Sequence, residues 1–296
     1  GSEAIIPAAA SLALLAIVGA VLDETTPKTV SLASSSSSIA ENSGSTITLT
    51  ATLSEPAGAA MTVSFLTSGA ATEGSDYSTI PNITIAAGST TGTASFTISD
   101  DAIYEGNEAA VVTISSISDA EFIKSGNDRV SITITDNESA PTISLASSSA
   151  SIAENSGSTI TLTATLSQIA DEAVTVSFST SGAATEGSDY SAIPNITIAA
   201  GSTTGTASFT ISDDAIYEGN EVATVAVSSV SGADATENGS QSVSITVLEN
   251  ESAPTVSLAS SSASIAENSA SAITLTATLS QIADEAVTVS FSTSGV

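Results

Sequence analysis

The chain has 296 residues, with 32 Asp+Glu against 3 Lys+Arg, a formal charge of −29, and no His, Cys or Trp. The absent residue types exclude disulfides, Cys/His zinc sites, thiol nucleophiles and His-based triads. Only Lys28, Lys124 and Arg129 are basic, so nucleic acid and anionic membrane surfaces are not expected partners, because phosphate recognition needs clustered cations. Metal cations are the natural counter-charge. With aromatics at 3%, the cores must be built from Ile, Val, Leu, Ala and Thr, which suits thin β-structure. The acidic, Ser/Thr-rich composition points to the cell exterior.

Residues 1–24 form a segment of their own. Ala4 to Leu22 carries one hydroxyl, Ser11, and no charge. Such a run is long enough to cross a bilayer as a helix. Pro7 lies near its start, where a helix tolerates proline best. Asp23-Glu24 follow it and oppose the helix dipole, so one apolar α-helix is expected to end near Leu22. A signal peptide needs a basic n-region, and none precedes the run. A membrane anchor and a retained packing helix both remain open. The second arrangement resembles type IV pilin-like subunits, in which a bare apolar N-terminal helix bundles in a filament core. That resemblance implies self-association through the helix, with membrane contact only before or instead of assembly. The characteristic bacterial start, an aromatic residue with Glu at the fifth position, is absent; the Glu here is Glu3.

From residue 29 onward the chain is a tandem repeat. Ser-Ile-Ala-Glu-Asn opens three copies, placing Glu41, Glu154 and Glu267 113 residues apart. A period of that size makes each copy a domain rather than a solenoid turn. The divisions are residues 25–139, 140–252 and 253–296, the last a partial copy. Within a copy, Thr46 to Leu53 alternates strictly, as do Ser95 to Ile98 and Ser131 to Ile134. Period-two alternation of β-branched residues predicts half-buried antiparallel strands. Gly69, Gly74, Gly88, Gly92 and Gly106 are read as turn punctuation. About seven strands per copy predict a two-sheet sandwich. Tyr77, Tyr104, Tyr190 and Tyr217 are read as sandwich-corner residues. Lys124 and Arg129 are read as exposed strand-edge cations. Asn82, Asn137, Asn195, Asn238 and Asn250 begin Asn-X-Ser/Thr sequons, so glycans are possible partners. The third copy stops at Val296, and its first strands would leave an apolar face and an open sheet edge. Continuation of the natural chain, or strand addition by another chain, would cover them.

The densest acidic stretch is Ser212-Asp213-Asp214-Ala215-Ile216-Tyr217-Glu218-Gly219-Asn220-Glu221, and Ser99 to Glu108 repeats it. Hard carboxylate oxygens at that density suit Ca²⁺. A solvated acidic rim is the plain alternative.

The repeat resembles the Calx-β domain. The matching residues are Ala40-Glu41-Asn42, Gly69 to Tyr77, Ala87 to Thr91, Ile98 to Asp101, Tyr104 to Glu108 and Ile134 to Glu138, nearly all recurring 113 residues later. The resemblance implies tandem seven-stranded immunoglobulin-like sandwiches with Ca²⁺ at one end. It carries the ligand roles to Glu41, Asp76, Asp100, Asp101, Glu105, Glu108 and Asp136 in the first copy. In the second they fall on Glu154, Asp189, Asp213, Asp214, Glu218, Glu221 and Glu249. The family's strongest sites end in three Asp, whereas this chain has Asp136-Asn137-Glu138 and Glu249-Asn250-Glu251. Glu73 and Glu186 are read as exposed.

No acid–base pair or phosphate loop is present, so an enzyme is not expected. The leading functional expectation is a structural subunit of an extracellular, pilus-like filament. Its helix would assemble the filament, and Ca²⁺-stiffened β-domains would project outward. A membrane-anchored Calx-β adhesin or stalk is the alternative, and a calcium-sensing regulatory module is the third reading.

Overall fold

The computed structural model describes residues 26–295. The apolar run Ala4 to Leu22, with its helix, anchor and filament-core readings, lies outside the described residues. No helix among the described residues is long and apolar enough to cross a membrane. The chain divides into two compact units. Unit 1 holds residues up to Asp100 and Glu108–Thr135; unit 2 holds Asp101–Asn107 and everything from Asp136.

Unit 1 is a two-sheet β-sandwich. Its strands are β1 (Lys28–Ser34), β2 (Ser38–Ala40), β3 (Thr46–Leu53), β4 (Met61–Gly69), β5 (Ile83–Ile85), β6 (Thr91–Thr97), β7 (Glu108–Ile117), β8 (Phe122–Lys124) and β9 (Arg129–Thr135). One sheet runs β6-β3-β1-β8 and the other β2-β9-β7-β4-β5. The alternation of Thr46 to Leu53 is realised as a strand of those bounds, with Ile47, Leu49, Ala51 and Leu53 turned into the core. Ile47 pairs with Phe96 across the sheet. Ile83, Ile114 and Ile132 face them from the second sheet, fully buried. Each such side chain contributes roughly 1.5–3 kcal/mol of transfer free energy. Tyr77 meets Phe96 edge-on, with ring centroids 5.6 Å apart, a geometry the aromatic quadrupoles favour.

The sandwich has nine strand segments where seven were expected. The first strand breaks at Ser35 to Ser37, so β1 pairs with β3 in one sheet while β2 joins β9 in the other. Serine hydroxyls cover the break: Ser34 Oγ donates to the Ser36 carbonyl, and Ser36 Oγ to the Ser38 carbonyl. Those local bonds offer the backbone an alternative to the ladder. The short β8 adds a parallel edge beside β1. Parallel pairing at β1–β8 and β2–β9 departs from the all-antiparallel expectation.

Gly92 corrects another expectation. It lies inside β6, not in a turn. A Cβ there would stand 2.7 Å from both Ile83 Cγ2 and the Thr84 carbonyl, so glycine is required by close packing. Gly69 does end a strand, at φ 118.

Unit 2 repeats the plan with β10 (Thr142–Ser147), β11 (Ser151–Ala153), β12 (Thr159–Leu166), β13 (Val174–Gly182), β14 (Ile196–Ile198), β15 (Thr204–Thr210), β16 (Glu221–Ser231), β17 (Thr236–Glu237) and β18 (Ser242–Leu248). Its sheets run β15-β12-β10-β17 and β11-β18-β16-β13-β14. Leu162, Val176, Ile196 and Ile245 are fully buried, and Tyr190 meets Phe209 edge-on. The third copy supplies a two-stranded ribbon, β19 (Val256–Ser260) with β20 (Leu275–Leu279). Val256, Leu258 and Leu275 are exposed.

Candidate metal centre

The acidic site of the second repeat is assembled from four loops at one end of its sandwich. Glu154 opens a 3-10 turn, Glu154–Ser156, directly after β11, and is only 6% exposed. Gly157 ends that turn at φ 62, a left-handed conformation that glycine adopts without strain. Glu154 Oε1 accepts the Asp214 N–H at 3.3 Å. Asp214 Oδ1 accepts the Ile216 N–H at 2.7 Å, which shapes the loop leading to Tyr217 and Glu218.

Glu249 follows β18 and anchors the connector toward the third copy. Its Oε2 accepts the N–H groups of Glu218 at 2.6 Å and Gly219 at 2.9 Å. Its Oε1 accepts those of Asn250 at 2.9 Å and Glu251 at 2.8 Å. The Glu249 N–H donates to Asn220 Oδ1 at 3.0 Å. One carboxylate thereby fixes both the acidic loop and the connector.

Three overlapping sets of carboxylate oxygens result, each with its atoms within 4.8 Å of one another: Glu154, Asp214 and Glu218; Glu154, Glu249 and Glu251; Asp189, Glu218 and Glu221. Glu154 and Glu218 are the shared members. Asp189 is positioned by Thr185, whose N–H and Oγ1 both donate to its Oδ2, the latter at 3.2 Å. Of the residues expected as ligands in this copy, Asp213 joins none of these sets. Glu251, which the Calx-β pattern did not assign as a ligand, belongs to one. Its sequence signal was its place in the terminal acidic triplet. Glu251 Oε2 is buried without a hydrogen-bond partner, while Oε1 accepts from Asn250 Nδ2 at 2.8 Å.

Electrostatics express the crowding. Burial, followed by Asp189 and Asp214, pushes Glu218 up to about 7. Burial and Asp189 raise Glu221. Burial raises Glu154, with Glu249 and Asp214 adding repulsion. The facing Glu249 carboxylate raises Glu251. Glu249 goes the other way. Burial opposes its charge, but the N–H groups of Glu218 and Glu251 outweigh that and hold it down to about 2. Like charges at these separations repel strongly in a partly buried setting. A bound cation would relieve them.

The 113-residue period places carboxylates at the corresponding positions of the first repeat, with Asp136 where the second has Glu249. In unit 1, Glu41 is buried at the start of the 3-10 turn Glu41–Ser43, and Asp76 is buried and accepts from Thr72. Asp100 ends the unit's first stretch, and Glu108 begins β7. In unit 2, Asp136 Oδ2 accepts from the N–H groups of Glu105 at 2.9 Å and Gly106 at 2.7 Å. Its Oδ1 accepts from Glu138 N–H at 2.7 Å. These backbone donors hold Asp136 below the usual carboxylate range against the opposing effect of burial. Asp101 Oδ1 accepts the Ile103 N–H at 2.8 Å. Glu73 and Glu186 are exposed.

The four tyrosines divide in two. Tyr77 and Tyr190 are buried corner residues, each 1% exposed. Tyr104 and Tyr217 are half-buried in the acidic loops, where each forms an isolated β-bridge, with Ala170 and Ala283 respectively.

Comparison with known families matches residues 136–251 to the Calx-beta domain and residues 23–137 to the LapA domain. The two matches fall on adjacent copies of one repeat. No curated protein matches the chain. Among solved structures, the calcium binding domain CBD12 of CALX1.1 is similar at 14% identity and TM-score 0.32, covering 72% of this chain and 96% of that one. CBD12 from CALX1.2 is similar at 15% identity and TM-score 0.32, covering 65% and 77%. The adhesin InvE of Yersinia pseudotuberculosis is similar at 15% identity and TM-score 0.34, covering 74% of this chain and 58% of that one.

Proposed function

We propose that this chain is a stretch of a cell-surface adhesin stalk, whose Calx-β repeats bind Ca²⁺ and thereby stiffen the connections between repeats. The observation that carries the reading is the set Glu154, Glu249 and Glu251. Glu154 belongs to the sandwich, whereas Glu249 and Glu251 lie in the connector between β18 and β19. An ion held by all three ties the connector to the sandwich.

The donor set fits calcium. It consists of carboxylate oxygens without nitrogen or sulfur, and hard oxygen ligands suit Ca²⁺. Glu251 belongs to the set with Glu154 and Glu249, and its carboxylate, raised by the facing Glu249, would be stabilised by a cation there. Calcium would supply the positive charge that lets Glu154, Glu218 and Glu221 ionise together. Glu249 orients the loop through its four N–H contacts, and Asp189 completes the outer set through Glu218 and Glu221.

The matches to a Calx-beta domain and a LapA domain favour the stalk over a pilus-like subunit. The acidic, hydroxyl-rich composition supports a position outside the cell. Calorimetric titration of the full chain with CaCl₂, with MgCl₂ as control, tests the calcium part. Heat of binding for Ca²⁺ is expected, together with a rise in melting temperature by mass action. Absence of both would overturn it.

A further inference from the structure

The acidic loops do more than present carboxylates. In unit 2, the Tyr104 N–H donates to the Ile169 carbonyl at 2.9 Å, and the Asp171 N–H donates to the Tyr104 carbonyl at 3.1 Å. Tyr104 Oη donates to Asp234 Oδ2 at 2.9 Å. The pattern recurs one period later: Tyr217 N–H donates to the Ile282 carbonyl at 3.0 Å, and Asp284 N–H to the Tyr217 carbonyl at 3.3 Å. A tyrosine encoded in one repeat therefore adds a bridge to the segment that follows β12 (Thr159–Leu166) in the next, or its equivalent.

The receiving surface is built for this. Ala170 and Ala233 beneath it are 1% and 6% exposed. Ala233 and Asp234 stand at φ 50 and 47, a left-handed pair that costs non-glycine residues roughly 1–2 kcal/mol each. Glu172 Oε2 holds the bend by accepting the Ala233 N–H at 3.2 Å. Strain of this kind persists only where its surroundings fix it. Here the bend aims Asp234 at the Tyr104 hydroxyl.

Sequence supplies an independent line. Residues 38–54 and 151–167 are identical, yet the copies diverge immediately afterwards. The second and third copies read Gln168-Ile169-Ala170-Asp171-Glu172 and Gln281-Ile282-Ala283-Asp284-Glu285, whereas the first reads Glu55-Pro56-Ala57-Gly58-Ala59. Gln168 and Gln281 donate their amides to the connector carbonyls of Ser139 and Ser252. The Glu55 side chain has no N–H to donate, and its Oε2 instead lies 3.7 Å from Lys28 Nζ. Glu121, the counterpart of Asp234, is likewise held by Lys28 Nζ at 2.9 Å.

We infer that the Tyr-Glu-Gly loop and the Gln-Ile-Ala-Asp-Glu segment are the two halves of a directional docking interface, the tyrosine from one repeat and the acceptor from its successor. The partner of each acceptor is a repeat of this same kind. This deepens the stalk reading by naming what couples neighbouring repeats, and it holds with or without calcium.

Hydrogen exchange of the full chain, read by mass spectrometry, tests it. The graft Gln168→Glu, Ile169→Pro, Asp171→Gly and Glu172→Ala installs a sequence that the same fold already carries at residues 55–59. Exchange in 101–107 is expected to rise about tenfold or more, with β12, β16 and the loop 214–220 unchanged, both with Ca²⁺ and with chelator. Tyr104→Phe, which keeps every backbone bond and loses only the contact with Asp234, should give a smaller rise at the same peptide. Unchanged exchange in 101–107 in both variants overturns the proposal. So does wild-type protection of 101–107 that vanishes on removing Ca²⁺, since the ion rather than the docked tyrosine would then hold the loop.

Discussion

The Glu218 N–H donates to Glu249 Oε2 at 2.6 Å, joining two loops whose glutamate carboxyls are shifted in opposite directions. Glu249 is held down to about 2 by backbone donors, and Glu218 is pushed up to about 7 by burial and by Asp189 and Asp214. The donors that would stabilise a second negative charge are already spent on Glu249. Glu218 therefore needs a proton or a cation.

This sets the pH dependence of the calcium-free protein. Glu218 has a folded pKa above its unfolded value of 4.5. Its contribution is fully present below the unfolded value and is lost as pH rises through about 7. Glu154 and Glu221, also raised, act in the same direction. Glu249 contributes above 4.5, and that contribution is lost as pH falls toward about 2. Thermal melts of dialysed, calcium-free protein should show stability falling between pH 4.5 and 7, and saturating Ca²⁺ should remove the fall. A melting temperature that climbs steadily over that interval without calcium would contradict the assignment.

Ligand substitutions should separate members of the carboxylate sets from bystanders. Glu154 belongs to two sets, and Asp213 to none. Calorimetry should show Glu154→Gln weakening Ca²⁺ binding by about tenfold or more. Asp213→Asn should leave it within about threefold. Equal effects would show that total charge, not the described geometry, governs affinity.

Glu249 should matter even without metal. Its side chain accepts four backbone N–H groups. Glu249→Ala removes them all, and a loss of about 1–3 kcal/mol is expected in calcium-free denaturant melts. An unchanged midpoint would mean that water replaces the carboxylate at no cost.

Gly205 tests the close approach of sheets in unit 2. A Cβ there would lie 2.7 Å from the Thr197 carbonyl and 2.8 Å from Ile196 Cγ2. Gly205→Ala should destabilise by about 1–3 kcal/mol, measured by chemical denaturation. Gly187→Ala meets no such crowding, but its φ of 95 makes it a control for strain alone.

Much of this organisation was legible in the sequence because it rests on local alternation. Thr46 to Leu53 reads as a strand of those bounds because a single sandwich face is buried, and the 113-residue period reappears as the same strand order in both units. The break at Ser35 to Ser37 was not legible, since hydroxyl-to-carbonyl bonds divert a strand without changing its composition. Gly92 resembles a turn glycine until Ile83 and Thr84 are seen against it. The roles of Tyr104 and Tyr217 depend on partners 65 residues further along the chain, which periodicity does not expose. Comparing residues 55–59 with 168–172 and 281–285 would have revealed them.

The most direct test of the stalk account is hydrogen exchange of the connector 249–254 during a Ca²⁺ titration of the full chain. The account predicts that the amides of Asn250 and Glu251 slow in step with binding, and that Glu154→Gln abolishes the slowing. Ca²⁺ binding that leaves connector exchange unchanged would contradict it.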